Sequence, residues 1–231
     1  MTHFWNTTKN QRITAGILWL LMLIFFFILI FRSCRHPERE SVSRYRERLS
    51  DQVAENRIDA ALGLGRLGEK DAVPDLERML YSDPEARVKR VASYAIFVLD
   101  REEFFSLLKT SPEAEVRAIC LETLARQEKE ETIPYLGNAL NDPSLQVRKT
   151  ALKFLVQHPD ARTVSLLLQV AEKTGEDTML RVEALTGLAR KAGKDQLERL
   201  KRLVEWEKNI SVQRAAAAAI REIEVREKTE E

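Results

Sequence analysis

Basic side chains recur along this chain at nearly constant spacing. Arg57, Lys89, Arg117, Arg148 and Arg181, followed by Gln213, are separated by 32, 28, 31, 33 and 32 residues. A row of guanidinium groups could hold anionic ligands, because the planar fork presents paired N–H donors to carboxylate or phosphate. The same row could instead be one half of a set of ion pairs. A charge taken out of water needs a partner, and Asp51, Asp83 and Asp142 stand in the intervening turns. The structural use is the expected one.

The remaining chemistry-bearing residues form no reacting constellation. The three histidines are His3, His36 and His158, and His158 precedes Pro159, where it reads as a helix C-terminal cap rather than a base. Zinc-ligand spacing is absent. Gly63-Leu64-Gly65 falls inside a helical pattern with no strand before it, so it is not a phosphate loop. No histidine accompanies the Ser and Asp residues of any segment, which removes the triad signal. Cys34 flanks an apolar run, and Cys120 takes the slot that Ala60, Ala92, Ala151, Ala184 and Ala216 fill elsewhere. Cys120 is therefore expected to be a small core residue, and no disulfide or oxidising compartment is implied. No catalytic, cofactor-binding or metal-binding residue is assigned, and the chain reads as not an enzyme.

The elements that would position these residues are helices. Val147, Ala151, Phe154 and Leu155 lie at offsets 0, 4, 7 and 8, one face of a helix. Asp142-Pro143 before them is expected to supply the cap and the first helical residue. The pattern returns at Val88 to Ile96 after Asp83-Pro84, at Val116 to Leu124 after Ser111-Pro112, at Leu180 to Leu188 and at Val212 to Ile220. A helix at Asn56 to Gly68, with Asp51 five residues before it, has small residues at Ala60, Gly63 and Gly65, and Gly68 as its stop. A second kind of helix alternates with the first. Val73-Pro74-Asp75-Leu76 matches Ile133-Pro134-Tyr135-Leu136, and segments from Asp100, Asp160 and Asp195 correspond without the proline. Two helices per period of about 31 residues is the signature of an α-solenoid. Only 8 Gly and 7 Pro in 231 residues argue against a turn-rich β fold.

The Asp-Pro turn, the Val-Arg-x-x-Ala helix and the Val-Pro-x-Leu helix together resemble the HEAT-repeat family. The short period is most similar to the branch called HEAT-like or phycobilisome-lyase-like repeats, and the resemblance spans residues 38–226. It implies an all-α, right-handed α-solenoid of about six helix pairs, with the basic row meeting turn aspartates of adjacent units. It also implies two possible activities. One is a scaffold or adaptor that takes a protein or peptide on its concave face. The alternative is a bilin lyase or isomerase-like enzyme working in the same groove. A HEAT-like di-iron hydroxylase would need several His-Glu pairs, which the sequence lacks.

On the first-named helix of each unit, positions three and seven should leave the core and line that concave face. They supply Arg90 and Tyr94, Ala118 and Glu122, Lys149 and Lys153, and Arg214 and Ala218. With Arg126, the residues expected to bind a partner are Arg90, Tyr94, Glu122, Arg126, Lys149 and Lys153. Tyr and Arg are common anchors of protein contacts.

The N-terminal part has a different character. Residues 13–31 form 19 consecutive positions without a charge, about the ~30 Å of a bilayer core at 1.5 Å per residue. Bulky Ile30 and Phe31 run straight into Arg32, unlike a signal-peptide cleavage site. The expectation is a tail at 1–12, a single transmembrane helix at 13–31 and a linker at 32–37. More Lys and Arg follow the span than precede it, which places the repeats on the cytoplasmic side. Residues 1–36 contain four basic residues and no acid, so the rest carries 33 basic against 36 acidic residues, a net of −3. That balance argues against a nucleic-acid partner. Residues 227–231 are expected to fray, because acids near a helix C-terminus oppose its dipole.

Overall fold

The structure, a computed structural model, describes residues 41–127 and 131–230. The expected span at 13–31, the linker and Cys34 lie outside the described residues. Among the described residues no helix is long and apolar enough to cross a membrane.

The described chain is helical throughout, with no strand. A helix over residues 41–48 (α1) precedes α2 (Ala54–Leu67), α3 (Val73–Ser82), α4 (Ala86–Leu99), α5 (Arg101–Thr110) and α6 (Ala114–Gln127). Then follow α7 (Ile133–Ala139), α8 (Leu145–Gln157), α9 (Arg162–Glu172), α10 (Thr178–Lys191), α11 (Leu197–Trp206) and α12 (Ile210–Glu230). Six pairs result. The even-numbered helices form an inner layer in which each touches the next, from α2 to α12. From α3 on, each odd-numbered helix packs on the inner helix that follows it, while odd-numbered helices meet one another little. The inner layer is thus the more closely stacked one.

Small residues make that stacking possible. Ala60, Ala92, Cys120, Ala151, Ala184 and Ala216 are all buried, one per inner helix, at the third position after the basic residue. Four positions further on, Leu64, Ile96, Leu124, Leu155 and Leu188 have no exposed surface. Neighbouring pairs share these side chains, so one apolar cluster runs from Leu49 to Ile223. A single pair could not bury its stripe alone, and each unit completes the core of the next.

Two glycines are required by geometry. Gly68 ends α2 with φ 70°, and the Glu69 N–H reaches back to the Leu64 carbonyl at 3.2 Å, so the left-handed residue closes the helix as expected. At Gly63 a Cβ would lie 2.6 Å from the Tyr45 ring, and its absence lets α1 press on α2.

The Asp-Pro dipeptides act differently from the expectation. α8 begins at Leu145 and α4 at Ala86, so neither Asp142 nor Asp83 is the capping residue. Each bends the turn instead: Asp142 Oδ1 accepts the Ser144 N–H at 2.8 Å, and Asp83 Oδ1 accepts the Glu85 N–H at 2.9 Å. A carboxylate held two residues outside the helix can face the preceding unit, which a capping carboxylate could not. The prolines of α3 and α7 do stand in the first helical turn. The last helix, α12, continues to Glu230. Arg226 fastens it by donating to the Ala189 carbonyl at 2.8 Å and to the Ala192 carbonyl, at the C-terminus of α10.

Candidate functional site

The basic row is a ladder of ion pairs between consecutive units. Arg57 holds Asp83 through Nε–Oδ2 at 2.7 Å and Nη2–Oδ1 at 2.9 Å. Arg117 holds Asp142 in the same two-point manner at 2.9 and 2.8 Å. Lys89 reaches Glu115 at 2.7 Å, Arg148 reaches Glu176 at 2.9 Å, and Arg181 pairs with Glu207. Four of the arginines also close their own unit. Arg57, Arg117 and Arg148 each donate to two carbonyls of the preceding turn, and Arg181 donates to the Ala171 carbonyl. Gln213 ends the row, and its amide donates to the Val204 carbonyl at 2.9 Å.

Electrostatics agree with the geometry. The Asp83 hydrogen bonds raise the already high pKa of Arg57, and those of Asp142 do the same for Arg117. Burial works upward on Asp142, Glu176 and Glu207, but hydrogen bonds from the facing arginine and from turn N–H groups outweigh it and hold all three below the usual carboxylate range. The ladder cations are engaged inside the protein. The sequence identified Asp83 and Asp142 as partners and missed Glu115, Glu176 and Glu207. The available signal was an acid 25 to 28 residues after every basic residue of the row.

The other candidates also have structural roles. His158 caps α8, accepting the Asp160 N–H on Nδ1, while Lys191 donates to the Leu155 and His158 carbonyls. Cys120 is fully buried beside Ser93, and burial pushes its thiol up to about 12, which suppresses the thiolate a nucleophile needs. Among the described residues no group of three or more His, Cys, Asp and Glu side chains is placed to hold a metal.

The exposed side of the inner helices is where unengaged chemistry remains. Arg90, Tyr94, Lys149, Lys153 and Arg126 are exposed, and the Lys153 ammonium lies 5.6 Å from the Phe154 ring centre. Glu122 is half-buried and is held by Arg126 at 2.8 Å, so these two charges neutralise each other. Ala118, expected outside, is buried. α6 lies between α4 and α8, and a lone methyl is short enough to be covered there.

Sequence reasoning missed a groove of about 260 Å³ between α2 and α4, lined by Leu62, Gly65, Arg66, Tyr94, Ala95 and Val98. The signal was present, since Leu62 and Tyr94 share one register position and Arg66 and Val98 share another. A larger recess of about 550 Å³ contains Arg46, Asp51, Arg57, Asp75 and Asp83. Its charges already pair internally, Arg46 with Asp75 at 3.1 Å and Arg57 with Asp83.

Comparison with known proteins places this geometry. Residues 102–179 match the family model for HEAT repeats, and residues 57–82 match that for the PBS lyase HEAT-like repeat. No curated protein matches the chain. Among solved structures, human deoxyhypusine hydroxylase in complex with glycerol is similar at 19% identity and a TM-score of 0.45, over 80% of this chain and 74% of that one. An engineered protein is similar at 20% identity and a TM-score of 0.41, over 80% of this chain and 96% of that one. These comparisons correct one expectation. The reading that the chain is not an enzyme does not stand, because one matched repeat belongs to a family model named for a lyase. The two repeat matches, set on the helix-pair ladder, support the HEAT-repeat family for this chain.

Proposed function

We propose that this protein is a HEAT-like scaffold that holds a protein partner on the exposed face of its inner helices, next to a membrane. The observation that carries this reading is the contrast between two sets of cations. The ladder residues are consumed by stacking, whereas Arg90, Lys149 and Lys153 stand outside the ladder on the exposed side of the inner helices, and Tyr94 on α4 is exposed as well. Tyr94, Glu122 and Arg126 belong to the same binding face. The uncharged stretch at 13–31 anchors the array, with the repeats on the cytoplasmic side. Anchoring raises the effective concentration of the face toward partners in the same membrane.

The test is cross-linking capture by the full chain with substitutions at Tyr94, Lys149 and Lys153. Tyr94→Ala, Lys149→Glu and Lys153→Glu should each reduce recovery of a defined partner while circular dichroism stays unchanged. Undiminished capture by all three would remove the face from consideration.

A further inference from the structure

The face assigned above has a chemistry that restricts its occupant. Its apolar part is the groove between α2 and α4, where the backbones approach closely: a Cβ on Gly65 would lie 3.8 Å from Ala95. At about 260 Å³ it is smaller than the roughly 300–1,000 Å³ of drug-sized pockets, so it has room for one side chain. Tyr94 and Val98 on its wall are 37% and 49% exposed, an apolar surface left to water.

The polar part is cationic. Among the described residues Arg66, Arg90, Lys149 and Lys153 pair with no carboxylate. Glu122, which lies between Arg90 and Lys149 in the helix order, is neutralised by Arg126. The exposed carboxylates Asp59 and Glu183 sit one position round from the row, on α2 and α10. The central three helices therefore present net positive charge next to an apolar notch, in a domain whose overall balance is −3.

We infer that the occupant is an extended acidic segment of a protein, with one large apolar side chain in the α2–α4 groove and carboxylates on Arg90, Lys149 and Lys153. This deepens the reading above and rests on it. Spacing follows from the architecture. Adjacent packed helices lie about 8–10 Å apart, so α4 and α8 are separated by roughly 16–20 Å. An extended chain rises about 3.3 Å per residue, which sets about five or six residues between the carboxylate on Arg90 and those on Lys149 and Lys153. A polyanion such as nucleic acid would use the cations and leave the notch empty, and an acidic segment with an anchor uses both.

The experiment is fluorescence anisotropy on the full chain in neutral detergent. The first probe is a labelled peptide with one Trp, a neighbouring Glu and a Glu pair about five residues further on. The controls replace every Glu by Gln, replace Trp by Ser, or move the Glu pair next to the Trp. The first peptide should bind more tightly than all three controls. The double variant Lys149→Glu, Lys153→Glu should weaken it about tenfold, the sum of two exposed charge contacts. Val98→Asp should abolish the preference for Trp over Ser. Equal binding of the Gln control, or of the peptide with its Glu pair moved, overturns the inference. So does absence of peptide binding, or binding of phosphatidylserine vesicles that is lost in the double variant while no peptide binds. If capture of a partner still depends on Lys149 and Lys153 when the acidic peptide fails, the binding face stands and its acidic occupant does not. If neither depends on them, both fail.

Discussion

At the scale of single residues, the contrast between ladder and surface pairs decides what a substitution costs. The Arg117 and Asp142 side chains are 12% and 13% exposed, so each depends on the other rather than on water. Arg78, paired with Asp75 at 3.2 Å, is 75% exposed. Asp142→Asn should lower unfolding stability by about 2 kcal/mol, since it leaves a largely buried guanidinium without its counter-charge. Arg78→Ala should change stability by no more than about 0.5 kcal/mol. The pH dependence has a definite sign. Asp142 has a lowered pKa in the fold, so its contribution is present above the unfolded value of about 3.9 and disappears as pH falls through the folded value. Urea midpoints should therefore separate wild type from Asp142→Asn by a constant amount above about pH 5, with the gap closing below about pH 4. Glu77 works the other way. Burial, with Glu103 and Asp100 nearby, raises its pKa, so Glu77→Gln should stabilise the protein at neutral pH and lose that advantage in acid.

At the scale of elements, close approach is the quantity the helices compete for. Gly63→Ala should improve the helix propensity of α2 by roughly 1 kcal/mol and also place a methyl 2.6 Å from the Tyr45 ring. Overpacking costs about 1–3 kcal/mol, so the ring should yield and α1 should loosen. Hydrogen exchange should show protection lost over residues 41–48 and kept from α3 onward. Retained protection at 41–48 would mean that the ring accommodates the methyl. The helices themselves were legible in the sequence, because Val147, Ala151 and Leu155 recur with one period in every unit and the core needs the same stripe each time. The starts of α4 and α8 were less so. An aspartate before a proline can cap a helix or bend the turn outside it, and what decides between them is Arg57 or Arg117 arriving from the previous unit. The face residues Arg90, Lys149 and Lys153 were legible as outward positions. Of the α2–α4 groove only the register of its lining was legible, because its depth depends on how closely Gly65 and Ala95 approach in space.

At the scale of the whole molecule, the array responds as coupled neighbours rather than as one indivisible core. Arg181 shows this best. In the full chain it faces Glu207 from the last pair, so Arg181→Gln should destabilise by leaving that carboxylate buried alone. In a chain ending at residue 192 Glu207 is gone and Arg181 keeps only its bond to the Ala171 carbonyl, so the same substitution should cost less. Thermal unfolding of the four proteins checks this difference, and an equal loss in both backgrounds would deny the ladder its coupling role. The ladder also has a direction, because every cation reaches forward to the unit that follows. The two ends of the described ladder are consequently unlike. Asp51 at the start occupies the place of Asp83 and Asp142 and takes the Val53 N–H at 2.7 Å, with no earlier inner helix among the described residues to send it a cation. Gln213 at the finish brings an amide already committed to its own unit. A second copy stacked head to tail would set Asp51 against that neutral amide instead of an arginine. A neutral rung therefore carries no charge-assisted bond outward, unlike the five charged rungs before it.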